Sequence, residues 1–402
     1  MKILIVSNTI PYPPDSGERI RIYNIIKYLS QAHEVSLIVL VEEHYKEQFI
    51  SKLKKYCSRV DTIFLRAHSK LAHMPGVIRC LISGEPLDNK FVFVEEMKKK
   101  IQKLTHSESF DIVQIEHSIM APYIKAISMD NNSKKVLTFH NIASVQYRRI
   151  FNTEKTISKK MRPFINWILM ERWEAKFAKN FDLCVTMSDH EKRILESKNP
   201  KLKVAVIPNG VDVENLQPLR VNLATNNLLY IGKMDYQPNI DAVLYFIQKI
   251  FPFIKMQIKD VKFVIVGSNP AKEIKQLERN KDIIVTGYVN NVRPFYEQST
   301  VSVVPLRAGG GTRLKILESM AFTRPVISTS IGCEGLDVCH NENIIISDKP
   351  EEFAGKTIEL LQNTNLREKI SKNARTLVEH NYSWKSIAKK QIQLYEKLIK
   401  IK

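Results

Sequence analysis

Apolar runs alternate with stretches of helical periodicity along the first half of the chain. The runs are short and mostly aliphatic, as in strands that are buried on both faces of a parallel sheet, and they lie at residues 2–7, 34–40, 62–65, 111–115, 135–139, 183–188 and 204–207. Between them, apolar residues recur at helical spacing, most clearly at 19–30 and 45–56. This alternation predicts an α/β domain with a doubly wound parallel sheet.

The second half repeats the pattern. Its strand candidates are separated by helical stretches such as 239–253 and 271–280, and they lie at residues 228–232, 262–267, 283–286, 301–306 and 325–330. Between the halves, Pro208-Asn209-Gly210-Val211-Asp212 has the composition of a turn, which suits a domain boundary. We therefore predict two Rossmann-like domains facing a cleft, over residues 1–207 and 208–382, with a last helix at 383–402 that packs back on the first domain.

Residues 153–180 form a long helical pattern that two arrangements would explain. It carries three basic residues and two tryptophans, namely Lys159, Lys160, Arg162, Trp167 and Trp173. A basic amphipathic helix of this kind would rest on a membrane surface. In the other arrangement, which we favour, the tryptophans pack into the domain. Residues 66–110 are lysine-rich and poorly patterned, so they predict only helices and loops.

A glycine-rich helix start follows the strand candidate at 301–306. Glycine permits close approach of a ligand to the backbone, and the start consists of Gly309, Gly310, Gly311, Thr312, Arg313, Leu314 and Lys315. Thr312 is placed to cap the helix, and the N–H groups of such a start bind anions. Lys315 and Glu318 are three residues apart and share one helix face. A cation for phosphate and a carboxylate for hydroxyl groups would then face one pocket, unless the glycines serve only the turn.

Polar residues follow two strand candidates at the edge where a parallel sheet binds ligands. Glu116-His117 ends one strand, and His140-Asn141 ends the next. At the end of the first strand, the loop 9–18 contains three prolines, and Gly17 allows a turn into the helix. We expect these exits to lie on one face of the first domain.

The charge of the chain allows several partners. The formal net charge is +19, with 34 Lys and Arg against 22 Asp and Glu in residues 1–205, and 27 against 20 in residues 206–402. A basic face suits an anionic membrane or an anionic substrate, and a lysine-rich bias spread over solvated faces is the alternative. The sequence contains no recognisable nucleic-acid-binding motif and no basic stripe interleaved with aromatic residues, so it does not indicate a nucleic-acid partner.

Compartment and metal content follow from the cysteines and the apolar runs. The five cysteines are scattered without a C-x-x-C pair, which predicts neither a disulfide framework nor a zinc site. No run is long enough to cross a bilayer, and the first strand is too short for a signal peptide. We therefore expect a cytoplasmic protein. A peripheral position at the inner face of the cytoplasmic membrane is compatible with this expectation.

In their order and spacing, these features resemble the nucleotide-sugar-dependent glycosyltransferases of the two-Rossmann-domain (GT-B) type, specifically the retaining family 4. The resemblance covers nearly the whole chain, and it rests on the loop 5–17, His140-Asn141, Thr186-Met187-Ser188, Asn209-Gly210-Val211-Asp212, Gly232, Gly267, Gly287-Tyr288-Val289, Glu318-Ser319-Met320-Ala321 and Arg324-Pro325-Val326. It implies transfer of a sugar from a uridine- or guanosine-diphosphate donor to a hydroxyl acceptor, without a metal or a resident cofactor.

The family's roles transfer to individual residues with some departures. The family motif Glu-x7-Glu places its second carboxylate on Glu318, which would hold the ribose, but Gly310 occupies the first position. The family's diphosphate-binding Arg and Lys correspond to Lys233 and Pro238. We therefore hypothesise that Arg313 and Lys315 supply the relocated charge.

Further roles that the resemblance implies concern both substrates. The base would lie near Gly287-Tyr288-Val289, and Gly17 and Gly232 would border the donor. His140 would contact the donor sugar or its phosphate and, with Lys315 and Glu318, form the catalytic set. The acceptor side would consist of Asp15, Arg19, Glu116 and His117. Arg19, together with Arg21, would contact an anionic or lipid diphosphate acceptor. The acceptor would belong to surface polysaccharide, lipopolysaccharide or glycolipid assembly.

Three other classes of protein are alternatives to a glycosyltransferase. A nucleotide-sugar epimerase shares the fold but requires a carboxylate-rich cleft, for which only Glu116 and Asp15 qualify. A non-catalytic scaffold of polysaccharide biosynthesis would lack the phosphate cations. A dinucleotide-dependent oxidoreductase would have G-x-G-x-x-G after the first strand, and no such motif is present.

Overall fold

The computed structural model describes residues 1–42, 47–65, 82, 84–87, 94–129, 132–154, 156–219, 225–309 and 312–400. The chain divides into two compact units. Unit 1 comprises Met1–Asn209 together with Ile387–Lys402, and unit 2 comprises Gly210–Ser386. The terminal helix belongs to unit 1 from Ile387 onward.

Unit 1 contains a parallel sheet of seven strands in the order β3-β2-β1-β4-β5-β6-β7. The strands are β1 (Lys2–Ser7), β2 (Glu34–Glu42), β3 (Arg59–Leu65), β4 (Ile112–Glu116), β5 (Lys134–Thr138), β6 (Leu183–Thr186) and β7 (Val204–Val206). The order reverses between β1 and β4, so this is the switch point at which doubly wound sheets bind ligands.

Unit 2 contains a parallel sheet of six strands in the order β10-β9-β8-β11-β12-β13. These strands are β8 (Asn227–Ile231), β9 (Lys262–Val266), β10 (Ile283–Val285), β11 (Val301–Val304), β12 (Val326–Ser328) and β13 (Ile345–Ile346). Its switch point lies between β8 and β11. The predicted pair of doubly wound parallel sheets is confirmed, although β13 has only two residues and was not predicted.

The helices of unit 1 cover both faces of its sheet. They are α1 (Gly17–Leu29), α2 (Glu47–Leu53), α3 (Glu95–Ser107), a 3₁₀ helix (Ser118–Ala126), α4 (Ala143–Thr153), α5 (Ile157–Ala178), α6 (Asp189–Lys198) and, from the end of the chain, α14 (Trp384–Lys400). The helical pattern predicted at 153–180 corresponds to α5, whereas α4, directly before it, was not predicted. Trp173 is buried, whereas Trp167 is half-buried against Phe151 and Phe164.

The helices of unit 2 begin with a segment that the sequence predicted as one continuous helix at 239–253. It consists of α7 (Gln237–Tyr245), a π turn (Phe246–Ile250) and α8 (Phe251–Gln257). Pro252 lacks the N–H group that would continue the ladder, which explains the interruption. The others are α9 (Lys272–Lys275), a 3₁₀ turn (Gln276–Arg279), α10 (Arg293–Glu297), α11 (Leu314–Ala321), α12 (Pro350–Gln362) and α13 (Thr364–Asn381).

Each unit has its own hydrophobic core. In unit 1 the aliphatic residues of β1, β2 and β4 pack against α3 and α5, and in unit 2 those of β8, β9 and β11 pack against α7, α11 and α12. Burial of this apolar surface is the main contribution to folding. Because the strands are buried, polar side chains collect at their carboxyl ends, where the candidate sites lie.

Candidate functional site

Two segments meet at the switch point of the unit 2 sheet. β8 and β11 are hydrogen-bonded neighbours, with Leu228 opposite Val301. Because both strands run in the same direction, Gly232 after β8 lies beside the loop that leads from β11 into α11. The glycine-rich helix start and Gly232 are therefore parts of one site.

Lys315 is the central cation of this site. Its Nζ donates hydrogen bonds of 3.0 Å to the hydroxyl oxygen of Tyr230 and 3.0 Å to Oδ1 of Asn239. The ammonium also lies 4.1 Å from the centre of the Tyr230 ring. Surrounding protein atoms displace most of its water, and this desolvation, with the charge of Arg313, lowers the pKa of Lys315 to about 7. No carboxylate of the described residues forms an ion pair with Lys315, so its contacts are to neutral oxygens and a ring.

Glycine is required around this ammonium for steric reasons. A Cβ on Gly232 would lie 2.8 Å from Nζ of Lys315 and 2.8 Å from Nδ2 of Asn239. A Cβ on Gly267 would lie 1.7 Å from the carbonyl oxygen of Gly232. Gly309 has φ of +114°, a conformation that side chains rarely adopt. Gly232 and Gly267 therefore let Lys315 lie against the end of β8, and Gly309 allows the backbone turn before α11.

Glu318 lies one helical turn beyond Lys315 on α11. Desolvation raises the pKa of Glu318 to about 7, although the charge of Lys315 acts in the opposite direction. Its charge also contributes to raising the pKa of buried Tyr296, whose main cause is desolvation. The structure thus brings together the cation and the carboxylate that the sequence predicted on one helix face.

The remaining residues of the helix start differ in how far the structure describes them. Gly310 and Gly311 lie outside the described residues. α11 begins at Leu314 with Arg313 as its N-cap residue and without a side-chain cap hydrogen bond, so the predicted capping by Thr312 is wrong. Thr312 precedes the cap position, too early for its hydroxyl to reach the first helical N–H groups. Arg313 is buried, and Leu314 packs against the core.

Other predicted donor residues lie near the ends of β8 and β10. Lys233 has an exposed side chain, and its carbonyl oxygen accepts a hydrogen bond of 2.8 Å from Asn239. The carbonyl oxygen of Gly287 accepts one of 3.1 Å from the N–H of Gly267. This links the 287–289 segment to Gly267, which lies beside Gly232. Tyr288 is 74% exposed, and Val289 packs in a small cluster.

In unit 1 the exits of β4 and β5 form a buried polar cluster. Nε2 of His140 lies 2.7 Å from Oε2 of Glu116, and the His117 ring is stacked 6.0 Å from the His140 ring. Burial alone would raise the pKa of Glu116, but the hydrogen bond and charge of His140, together with Arg21, hold it below its ordinary value. Burial lowers the pKa of His117, whose Nδ1 is buried without a hydrogen-bond partner among the described residues.

His117 also has a strained backbone. Its φ is +78°, which is uncommon for a residue other than glycine. Strain of this kind is concentrated at functional sites, where the surrounding structure maintains it. The strain turns the chain directly after β4, between Glu116 and the 3₁₀ helix.

The acceptor-side residues at the start of α1 are exposed. Arg19 forms an ion pair of 3.1 Å with Asp15, and Gly17 is the first residue of α1. Arg21 is instead 1% exposed, and it donates hydrogen bonds to the carbonyl oxygen of Pro208 and to Oδ1 of Asn209. Arg21 is therefore a structural link within unit 1 as well as a charge near Glu116.

Sequence reasoning missed Tyr230 and Asn239, the two partners of Lys315. Tyr230 follows two leucines in β8, and its hydroxyl lies 2.7 Å from Oδ1 of Asn239. A tyrosine in a buried strand requires a hydrogen-bond partner for its hydroxyl, and this requirement could have drawn attention to Tyr230. The sequence did not show which residue the partner would be.

Two family models match adjacent parts of the chain. The model described as Glycosyltransferase Family 4 matches residues 16–215, and the model described as Glycosyl transferases group 1 matches residues 225–363. Together they cover most of both units, including the clusters around His140 and Lys315.

Individual relatives agree with these models. An uncharacterised 44.6 kDa protein in the cps region of Klebsiella pneumoniae is 25% identical over 398 residues, which are 96% of this chain and 97% of that protein. A poly(ribitol-phosphate) alpha-N-acetylglucosaminyltransferase of Staphylococcus aureus is 26% identical over 244 residues, 54% of this chain and 48% of that enzyme. The structure of Anabaena Alr3699/HepE in complex with UDP and glucose matches with a TM-score of 0.67 and 14% identity over 99% of this chain and 100% of that one.

Proposed function

Because the chain belongs to the glycosyltransferases, with a family 4 domain followed by a group 1 domain of the GT-B fold, we propose that it transfers a sugar from a nucleoside diphosphate donor to a hydroxyl group of a saccharide acceptor. The donor is a uridine- or guanosine-diphosphate sugar. The configuration at the anomeric carbon is retained, as is usual in family 4.

The position of Lys315 carries this proposal. Pro238 stands where the family has a diphosphate-binding lysine, and Asn239, the next residue, accepts a hydrogen bond from Lys315. The ammonium of α11 therefore reaches the first turn of α7, beside the position of the missing lysine. Among the described residues, only neutral groups form hydrogen bonds with Lys315. A phosphate is therefore the partner that would compensate its charge. The contact between Lys315 and Asn239 supports the proposed charge relocation.

The chemistry assigns a role to each group of the donor. Lys315 and Arg313 stabilise the negative charge that develops on the leaving diphosphate, and Lys233 adds an exposed cation. Glu318 accepts hydrogen bonds from the ribose hydroxyls, and residues 287–289 border the base. We propose that these cations take the place of a bound metal when the leaving group departs.

Retention without a covalent intermediate agrees with the engagement of Glu116. Both oxygens of this carboxylate have partners, since Oε1 accepts from Gln114 and Oε2 from His140. A hydrogen bond to each oxygen lowers the nucleophilicity of a carboxylate, and a double displacement needs one of the two oxygens directed at the anomeric carbon. We assign Glu116 to support His140, which acts on the donor sugar.

The acceptor is proposed to be a growing surface polysaccharide or its lipid-linked precursor. Two named relatives support this, one in the cps region of Klebsiella pneumoniae and one that acts on poly(ribitol-phosphate). His117, with its buried unpartnered Nδ1, and the Asp15–Arg19 pair are the groups of unit 1 proposed to orient the acceptor.

A membrane contact would bring the enzyme to a lipid-linked acceptor. One stripe of α5 exposes apolar side chains at helical spacing, namely Ile157, Met161, Phe164 and Ile168. Lys159, Lys160 and Arg162 lie between them. No helix within the described ranges is long and apolar enough to cross a membrane. We propose that this stripe rests on an anionic inner membrane face, with the protein otherwise in the cytoplasm.

The decisive experiment measures release of nucleoside diphosphate from a panel of uridine- and guanosine-diphosphate sugars, selected by thermal shift, with and without lipid-linked saccharide acceptors. Acceptor-dependent release and a new glycosidic product are expected. Conversion of the donor sugar without release would identify an epimerase instead.

The charge relocation has its own test. Lys315→Ala should weaken donor binding by about tenfold or more, the loss of a charge-assisted hydrogen bond. Lys369→Ala, which removes an exposed lysine of α13, is the control and should leave it unchanged. Unchanged donor affinity in Lys315→Ala would refute the relocation.

A further inference from the structure

The terminal helix α14 places a polar side chain inside unit 1. Gln391 is completely buried, and its Nε2 lies 3.0 Å from Oε1 of Gln114 on β4 and 2.5 Å from the hydroxyl oxygen of Tyr395. The other residues that α14 buries include Ile387, Ala388 and Leu398. The amide of Gln391 thus lies among buried apolar residues of α14, where its desolvation is costly unless it is hydrogen-bonded.

The hydrogen bond to Gln114 continues to the candidate catalytic histidine. Nε2 of Gln114 donates to Oε1 of Glu116, and Oε2 of Glu116 lies 2.7 Å from Nε2 of His140. Gln391, Gln114 and Glu116 are each at most 2% exposed. The four side chains thus form one continuous buried chain of hydrogen bonds from the end of the protein to His140.

Each bond in this chain fixes the orientation of the next group. A primary amide has a donor end and an acceptor end, and the Glu116 carboxylate only accepts, so Gln114 turns its NH₂ group to Glu116 and its carbonyl oxygen to α14. A donor at Gln391 satisfies this carbonyl oxygen and so stabilises the orientation of Gln114 that supports the carboxylate. The carboxylate then accepts from Nε2 of His140, which keeps the proton on Nε2 and leaves Nδ1 as the acceptor.

We infer that Gln391 is a positioning residue of the transferase, which sets the tautomer and ring orientation of His140 through Gln114 and Glu116. This inference rests on the role proposed above for His140 at the donor sugar. α14 is thereby a functional part of unit 1, because the orientation of His140 depends on a side chain of the last helix.

The test compares two glutamines of the same helix. Gln391→Leu removes the first donor of the chain, and Gln393→Leu makes the same change at an exposed position of α14. Two measurements are made on each protein at equal folded fraction. One is steady-state transfer, and the other is the ¹⁵N resonance pattern of His140, assigned by comparison with His140→Asn, which reports the tautomer.

Gln391→Leu should lower kcat about tenfold while donor KM stays within about twofold, because the donor nucleotide is bound by unit 2. It should also replace the pattern of a single Nε2-protonated tautomer by that of a mixture. Gln393→Leu should match the original protein in both. The inference is overturned if Gln391→Leu and Gln393→Leu give the same kcat and the same resonances.

A second variant separates positioning from stability. Ile387→Ala removes buried apolar surface from the same helix and leaves the four hydrogen-bonded side chains in place, so it should lower stability without changing the orientation of His140. Positioning requires kcat, at equal folded fraction, to be low in Gln391→Leu and normal in Ile387→Ala. An equal loss of kcat in both variants would show a structural role only. If no donor is turned over, the resonance measurement still decides whether Gln391 orients His140.

Discussion

The ammonium of Lys315 lies 3.0 Å from the hydroxyl oxygen of Tyr230 and 4.1 Å from the centre of its ring. The oxygen and the ring face attract a cation without neutralising it. With a pKa of about 7, Lys315 is charged in only part of the molecules at neutral pH. A bound diphosphate would favour the charged form, so ligand and proton are expected to bind together. We therefore expect the folded site to be less stable without a bound diphosphate than with one.

Lys315→Met should stabilise the free protein, and the gain should depend on pH. The folded pKa of Lys315 is about 7 and its ordinary value is 10.5. Between these values the unfolded chain binds more protons, so the stability of the original protein rises with pH, by at most about 1.4 kcal/mol per pH unit from this group. The advantage of Lys315→Met is thus largest below pH 7 and shrinks towards pH 10. Urea unfolding of both proteins from pH 6 to 9 checks this, and an advantage that grows with pH would contradict it.

Glu318→Gln should weaken binding of nucleoside diphosphates specifically through the ribose. A carboxylate accepts stronger hydrogen bonds from hydroxyl groups than an amide does, and the difference is about 1–2 kcal/mol. Affinity for UDP or GDP should fall about tenfold, whereas affinity for the 2′,3′-dideoxy analogue should barely change. Calorimetry with the natural and dideoxy nucleotides measures both. Equal losses for the two would place Glu318 away from the ribose.

The sequence predicted those parts of the site that depend on local spacing. Lys315 and Glu318 share a helix face because they are three residues apart, and Glu116 and His140 meet because both follow buried parallel strands. The partners of Lys315 were not predictable in this way. Tyr230 lies 85 residues earlier in the chain, and its contact with Lys315 depends on the pairing of β8 with β11.

Two further features were missed for related reasons. Gln391 belongs to a helix rich in lysine, where a glutamine usually faces solvent, so its burial depends on how α14 packs against β4. The capping by Thr312 was wrong by one residue, since helix starts are set by the backbone path of the loop as well as by residue type. The order and the class of the elements were predictable from the sequence, whereas these contacts between residues distant in the sequence were not.

Gly232→Ala should impair donor binding while leaving the protein folded. The new Cβ would lie 2.8 Å from the Lys315 ammonium and the Asn239 amide, which are side-chain ends that can move apart. Donor affinity should fall about tenfold as the ammonium leaves its place.

Two other glycines provide the comparison for Gly232→Ala. Gly355→Ala, on the exposed face of α12 with open space around it, should raise stability by about 0.5–1 kcal/mol and leave binding unchanged. Gly267→Ala would overlap the Gly232 carbonyl oxygen, so it should fold poorly. Circular dichroism and calorimetry on the three variants measure both properties, and normal binding by folded Gly232→Ala would contradict the proposed role of Lys315.

Membrane binding should depend on the exposed stripe of α5. Ile157 and Met161 are 80% and 56% exposed, and the neighbouring Lys and Arg residues complement anionic lipid. Sedimentation with phosphatidylglycerol vesicles should show binding that weakens with salt, and Ile157→Glu with Met161→Glu should reduce it about tenfold by removing apolar insertion and adding repulsion. Met129→Glu changes a methionine that is 98% exposed elsewhere in unit 1 and should bind normally. Equal binding to neutral phosphatidylcholine vesicles, or equal loss in Met129→Glu, would exclude the stripe as the membrane contact.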